Sequence, residues 1–231
     1  MMKSISQGKI FLADQRGLKE TIRLKRFSTF NFEQFTNPNK TAIDKLYMVN
    51  DDMLAGHQKT CFEIDRHSYI IILPITGAVN YLDDSENETD VDVEEAIIVY
   101  VERGANITLS NPYENEIINY LCIGIAAEEP MPNNPQFWSF DLSLQNRLIK
   151  INQGALPFEL NIGRFEGRKE AIYQLQDSAK LYTLVLAGAF EIDGRLLHEK
   201  DGLALWGTNK IELEALSNQA VVLIIELLQT N

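Results

Sequence analysis

The chain has 231 residues, 45% of them apolar and 23% charged, with 33 Asp and Glu against 21 Lys and Arg for a formal charge of −12. That length suits one large or two compact domains of roughly 100–150 residues, and the composition excludes disordered and fibrous chains. The acidity argues against nucleic acid, whose binding depends on cationic side chains that neutralise phosphates, and against acidic membranes for the same reason.

Met1 to Lys9 has no apolar core of the signal-peptide kind, and no run approaches about 18 apolar residues, so the protein is expected in the cytoplasm. Arg23, Lys25 and Arg26, beside Phe27 and Phe30, form the densest basic cluster and are expected on a solvated or hairpin-pairing face. Thr41–Asp44, and later Ser143–Ile149, are at most short turns of helix. From Leu46–Val49 onward the pattern is β-type: Tyr69–Ile75, Ala96–Val101, Ile117–Ile125, Leu181–Leu186, Leu203–Trp206 and Val221–Leu228 are short apolar runs between Gly, Asn, Asp and Pro clusters. Many short strands at this spacing predict a sandwich or barrel. Cys61 and Cys122 are too few for a disulfide framework and are expected as two reduced, partly buried thiols.

Asp83 to Glu95 carries eight carboxylates, with no Lys or Arg between His67 and Glu102. Its spacing is superficially that of a calcium loop, but no glycine supplies the sharp turn, and a solvated hairpin connection is the expected structure. Tyr69-Ile-Ile-Ile-Leu-Pro-Ile-Thr-Gly77-Ala-Val-Asn-Tyr-Leu-Asp83 is echoed by Leu181-Tyr-Thr-Leu-Val-Leu-Ala-Gly188-Ala-Phe-Glu-Ile-Asp193. One hairpin is thus built twice, and two similar β-barrels are expected. Pro130, Pro132 and Pro135 deny ladder donors between them and favour an extended connector. The expected division is therefore 1–128, a connector at 129–141, and 142–231.

Taken together, Asp14-Gln-Arg-Gly17, the aromatic stretch Arg26-Phe-Ser-Thr-Phe-Asn-Phe32, Asn37-Pro38, Leu46-Tyr-Met-Val-Asn-Asp-Asp52, Gly77, Ser110-Asn-Pro112 and Asp201-Gly-Leu-Ala-Leu-Trp206 resemble the pirin family over nearly the whole chain. That family comprises bicupins related to bacterial quercetin 2,3-dioxygenases. The resemblance implies an all-β fold of two tandem cupin (RmlC-like jelly-roll) barrels. It also implies, for the family, an N-terminal site for iron or another divalent metal, held by a His-x-His pair and a His-x-Glu pair. Residues i and i+2 of a strand point to one face, so each pair would send two ligands into the lumen, and imidazole suits iron, nickel and copper.

Counting from Asn50-Asp-Asp52 and back from Gly77 places the first pair at Glu63 and Asp65, and counting back from Asn111-Pro112 places the second at Ile107 and Leu109. No imidazole remains at these four positions. Ile107 and Leu109 carry no lone pairs, and two carboxylates beside an aliphatic wall offer too few oxygens for magnesium or calcium, so no resident metal or other cofactor is expected. If Glu63 and Asp65 share a lumen, their repulsion raises at least one pKa unless an arginine such as Arg66 or Arg103 satisfies them; the alternative is that strand drift turns them towards solvent or a salt bridge. A shifted register could bring His57, His67 and Asp65 together with Cys61 as a fourth ligand, but His57 falls in an expected loop and both flanking anchors oppose a slip, while His198 belongs to the second barrel's acidic turn. No nucleophile elbow, phosphate loop or dinucleotide fingerprint is present.

The sequence therefore predicts a pirin-like bicupin whose metal-pocket positions Glu63, Asp65, Ile107 and Leu109 are vestigial. Such a protein would be a non-enzymatic small-molecule-binding, regulatory or structural protein with an unidentified small molecule or protein as partner. The alternative is a quercetin 2,3-dioxygenase-like oxygenase with an altered carboxylate site.

Overall fold

The computed structural model of the chain describes residues 6–83, 88–128 and 135–229. Among these residues there are 21 strands, one turn of 3-10 helix at Ala13–Gln15, and no α-helix. The apolar runs are short, rich in β-branched and aromatic residues and closed by turn formers, a pattern that suits half-buried strands. In chain order the strands begin β1 (Gln7–Phe11), β2 (Gly17–Glu20), β3 (Leu24–Ser28), β4 (Leu46–Leu54), β5 (Lys59–Glu63) and β6 (Ser68–Thr76). There follow β7 (Val79–Leu82), β8 (Glu88–Val91), β9 (Glu95–Val101), β10 (Asn106–Ser110), β11 (Ile118–Ala126) and β12 (Gln136–Ser139). The remainder are β13 (Ile149–Lys150), β14 (Phe158–Phe165), β15 (Glu170–Gln174), β16 (Lys180–Ala187) and β17 (Phe190–Ile192), then β18 (Arg195–Leu197), β19 (Gly202–Trp206), β20 (Lys210–Ala215) and β21 (Ala220–Leu227).

Two compact units divide the chain, one spanning 16–139 and the other formed by 1–15 together with 140–231. In the first, a seven-stranded sheet ordered β12-β9-β6-β11-β4-β3-β2 accompanies a four-stranded sheet ordered β5-β10-β7-β8. A single apolar cluster drawn from both sheets, including Ile70, Ile72, Tyr120, Phe62, Ile107 and Val79, fills the space between them. The second unit repeats this plan with a six-stranded sheet, β1-β19-β16-β21-β14-β13, and a four-stranded one, β15-β20-β17-β18. The fold is all-β, two cupin jelly rolls in tandem. The duplicated hairpins are β6–β7 and β16–β17, and their turns place Gly77 (φ 71°) and Gly188 (φ 75°) in the left-handed region that glycine enters without steric penalty.

The ends of each unit differ from the expected boundaries. β1 pairs with β19 from Gln7↔Trp206 to Phe11↔Gly202, so the first strand belongs to the second unit. Phe11 is buried there, edge-on to Tyr182 at 6.0 Å, and the Ala13 N–H donates to Asp201 at 2.8 Å. The end of the expected connector is also a strand: β12 pairs with β9 from Gln136↔Ile98 to Ser139↔Glu95. β1 and β12 thus cover equivalent sheet edges, which would otherwise present unpaired backbone groups. Residues 129–134 of the connector lie outside the described residues.

Within the acidic run, Glu88–Val91 forms β8, which pairs with β7 from Val79↔Val91 to Leu82↔Glu88; the expected solvated connection falls on residues 84–87, which lie outside the described residues. The expected helical turns do not form. Ile43 bridges to Leu46, and the segment after Phe140 is a turn in which the Ser143 N–H donates to the Asp141 carboxylate at 2.8 Å, followed by β13. Asp and Ser here bond their own neighbouring backbone, which competes with helix formation.

Candidate functional site in the first barrel

β10 and β5 are antiparallel, with Ile107 opposite Phe62, Leu109 opposite Thr60 and Asn106 opposite Glu63. Directly opposed residues share a face. Ile107, Leu109 and Phe62 therefore point one way, and Glu63, Cys61 and Thr108 the other. Burial identifies the inner face: Ile107 and Leu109 are 0% exposed and Phe62 6%, all in the apolar cluster between the sheets. Ile64, 2% exposed, takes the next inward place.

Glu63 and Asp65 are exposed on the outside of the barrel, not beside the aliphatic pair. Phe62 and Ile64 gain more from the lumen than two acids would, since an ionised carboxylate loses several kcal/mol of hydration on burial. Of the two arrangements open to the acids, the solvent-facing one is found. Arg66 donates to both Asp65 oxygens at 2.7 and 2.9 Å, and these hydrogen bonds hold the Asp65 carboxyl below the usual carboxylate range. The Arg66 guanidinium also lies 4.4 Å over the Tyr47 ring.

The lumen instead holds an ion pair. On the inner face of the large sheet, Arg26 of β3 stands opposite Asp52 of β4, which stands opposite Tyr120 of β11. Arg26 and Asp52 are 1% and 0% exposed. The guanidinium grips the carboxylate as a fork, Nε to Oδ1 at 2.8 Å and Nη2 to Oδ2 at 2.6 Å, the strong planar geometry for this pair. The rings of Phe32 and Phe62 each lie 5.0 Å from the guanidinium carbon, within cation–π range. Burial opposes the Arg26 charge, but the hydrogen bonds and charge of Asp52 outweigh it and push the pKa up. Burial likewise raises the Tyr120 phenol and the Cys122 thiol.

The next cross-strand row is Ser28, Asn50 and Cys122. The Asn50 amide has neither oxygen nor nitrogen hydrogen-bonded. Of the two expected settings, a solvated or a hairpin-pairing face, Arg26 takes the second: it pairs with Lys19 in the β2–β3 hairpin and is buried. Its signal was its phase: Leu24, Arg26 and Ser28 alternate with half-buried Lys25 and Phe27.

The donor set does not fit a divalent metal. The two inward positions of the implied ligand set are hydrocarbon, and the two acids face solvent. The carboxylate inside the barrel, Asp52, is engaged by a guanidinium whose own charge repels a second cation. Among the described residues no three His, Cys, Asp or Glu side chains come together as a metal cluster.

The histidines lie apart from the lumen. His57 and His198 are exposed, and the His67 ring is stacked on Tyr100 with Nδ1 3.0 Å from its hydroxyl. Both cysteines are free, but Cys61 is exposed where partial burial was expected, because it shares the outer face with Glu63.

Residues 144–227 match a protein-family description, the quercetinase C-terminal cupin domain. A quercetin 2,3-dioxygenase of Escherichia coli (strain K12) is 24% identical over 220 residues, covering 91% of this chain and 95% of that protein. Among solved structures, YhhW from Escherichia coli superposes with a TM-score of 0.83 at 22% identity over 97% of this chain and 99% of that one. The nickel(II) complex of the bacterial pirin YhhW gives 0.81 at 23% identity over 97% and 100%. YhaK from the same organism gives 0.71 at 19% identity over 88% and 94%.

Proposed function

We propose that this chain, which resembles the pirin-like bicupins, is a non-enzymatic one, a cytoplasmic small-molecule-binding, regulatory or structural protein that works without a resident metal. One observation carries the proposal: the inward-facing positions Ile107 and Leu109 are buried hydrocarbon, and the lumen they border already contains a cation, Arg26, neutralised by Asp52. Imidazoles or carboxylates at those positions would present lone pairs to an ion, whereas aliphatic side chains present only bulk. No helix among the described residues is long and apolar enough to cross a membrane.

The competing proposal, an oxygenase with an altered carboxylate site, draws on the activity in the name of the Escherichia coli relative. It would require Glu63 and Asp65 to converge on the lumen, and both side chains are solvent-facing. The two readings separate by elemental analysis of protein purified without chelator, followed by oxygen uptake with quercetin after incubation with Fe(II), Ni(II), Cu(II) or Mn(II). The expected result is no stoichiometric metal and no uptake above protein-free metal. A full equivalent of metal together with quercetin-dependent oxygen uptake would establish the oxygenase instead.

A further inference from the structure

Beside the Arg26–Asp52 pair, the inner face of the large sheet runs out to its edge strand β2, where Lys19 stands opposite Arg26 and Gly17 opposite Ser28. This edge is covered by a short strap in which Phe32 and Phe35 exchange backbone hydrogen bonds at 3.1 and 2.9 Å. Between edge and strap lies a recess of about 450 Å³, bordered by Gly17, Lys19, Arg26, Ser28, Phe32 and Phe35, a size within the range of small-molecule sites.

Glu33, at the tip of the strap, also borders it and reaches the two cations there. One carboxylate oxygen accepts from Lys19 Nζ at 2.6 Å and the other from Arg26 Nη1 at 3.5 Å. Arg26 is fully buried, its Nε and Nη2 are engaged by Asp52, and Nη1 is turned to this side, where its hydrogen bond among the described residues is that long contact. Glu33 reaches the two cations from a left-handed backbone conformation, φ 48°, which a non-glycine residue adopts at a penalty of about 1 kcal/mol or more.

We propose that this two-cation recess binds a small aromatic monocarboxylate, and that Glu33 is a tethered carboxylate which the ligand displaces from the two cations. The carboxylate class follows from the geometry: two donors on different strands, each offered to a separate oxygen of Glu33. The single charge follows from local neutrality: Arg26 and Lys19 balance Asp52 and Glu33, Glu20, which also borders the recess, is paired with Lys25 at 3.3 Å, and a monoanion in place of Glu33 preserves that balance where a dianion would not. The aromatic body follows from Phe32, which sits edge-on to Phe62 at 5.6 Å, and from Phe35, which packs so closely over Gly17 that a Cβ there would meet its ring at 2.2 Å. Such faces favour offset or edge-on rings. The proposal rests on reading the first barrel as a metal-free binding module, and it names that module's ligand class.

A site whose cations are engaged by its own strap binds an external anion with an affinity reduced by the fraction of time those cations are free. Calorimetric titration with benzoate, with neutral benzamide as control, tests this on the full chain. Glu33→Gln is expected to bind benzoate about tenfold more tightly than the unaltered protein, and adding Lys19→Gln to Glu33→Gln is expected to abolish that gain. Lys19 is half-exposed, so its loss leaves the folded barrel available for measurement, whereas altering Arg26 would disturb the lumen itself. Benzoate bound no more tightly by Glu33→Gln, or benzamide bound as well as benzoate, would overturn the proposal. Each titration is run with and without EDTA: binding that disappears with chelator overturns the metal-free premise, while chelator-indifferent binding that ignores Glu33 and Lys19 overturns the anion site alone.

Discussion

Laid strand on strand, the two barrels differ in one row of their interiors and agree in another. In the first, Leu54 of β4 faces Ile118 of β11; in the second, Phe165 of β14 faces Ala220 of β21. From that common origin, Asp52 corresponds to Gly163 and Tyr120 to Val222. Leu148 stands over Gly163, 3.2 Å from where a Cβ would be. An ionic row in one barrel is therefore an apolar row in the other. On the small sheets the reverse holds: Ile107 opposite Phe62 and Leu109 opposite Thr60 correspond to Ile211 opposite Tyr173 and Leu213 opposite Ala171. The positions that relatives are expected to use for metal carry the same Ile-x-Leu pair as the barrel for which no metal role is expected. The first barrel shares the aliphatic packing of the second there, and it carries its charge on a different wall.

The largest effect should come from breaking the ionic row. Arg26→Ala leaves Asp52 buried without its partner and is expected to destabilise the first unit by about 3–5 kcal/mol. Pairing Arg26→Met with Asp52→Leu makes the row apolar, as in the second barrel, and should recover most of that loss. Trp138 lies in the first unit and Trp206 in the second, so urea denaturation followed by Trp138 fluorescence in a Trp206→Phe background reports the first unit. A double variant as unstable as Arg26→Ala would mean that the two barrels tolerate different chemistry in this row.

Next come the shared aliphatic positions. Ile107→Ala and Ile211→Ala each remove buried methyl groups from sites 0% and 1% exposed, and each should lose about 2–4 kcal/mol. Comparable losses, measured by the same denaturation with the appropriate tryptophan retained, would show that both pairs serve as core. A loss below about 1 kcal/mol for Ile107→Ala alone would indicate a lumen with room to relax, as a ligand cavity has.

The second barrel has its own buried acid. Glu226, 1% exposed, accepts from the Tyr173 hydroxyl and from the Gln176 N–H, both at 2.6 Å, and Asn161 donates to the same hydroxyl at 3.1 Å. Here neutral donors replace the guanidinium, so Glu226→Ala should destabilise by about 1.5–3 kcal/mol, less than the loss of Arg26.

The phenols give both barrels an alkaline limit. Burial and Glu226 raise the Tyr173 pKa, and burial pushes Tyr47 of the first barrel up to about 12 from 10.0. A folded-state pKa above the unfolded one means that the unfolded chain loses the proton first. The stabilisation is complete below pH 10 and is lost as pH rises through 12. Equilibrium unfolding between those limits should show both units weakening together.

Much of the architecture was legible because strand alternation and turn residues are local signals. The duplicated Gly77 and Gly188 hairpins marked two barrels, and the count to Ile107 and Leu109 found two residues that point inward. What escaped was phase and distant pairing. The count to Glu63 and Asp65 fell one residue away from the inward-facing Phe62 and Ile64, and a shift of one reverses every side chain of a strand. β1 escaped because its partner β19 is nearly 200 residues away in sequence, and no local pattern records such a pairing. Arg26 and Asp52 were hidden among basic and acidic neighbours. Each continues the inward alternation of an apolar strand, Leu24 to Ser28 and Met48 to Leu54, and a charge in that phase on two neighbouring strands is the available sign of an internal ion pair.

The smallest effect separates the outer wall from the inner one. Glu63→Gln and Asp65→Asn alter side chains on the solvent face, and each should change stability by about 0.5 kcal/mol or less. Asp65→Asn loses an exposed pair with Arg66, and such pairs contribute about 0–1 kcal/mol. The sign with pH follows from the lowered Asp65 pKa. Its stabilisation is present above the ordinary carboxylate range and fades as pH falls through the folded value, so wild type and Asp65→Asn should converge in acid. A loss above about 2 kcal/mol from either substitution would be the response of a buried carboxylate. It would return the acids to the lumen and reverse the assignment of inner and outer faces on β5.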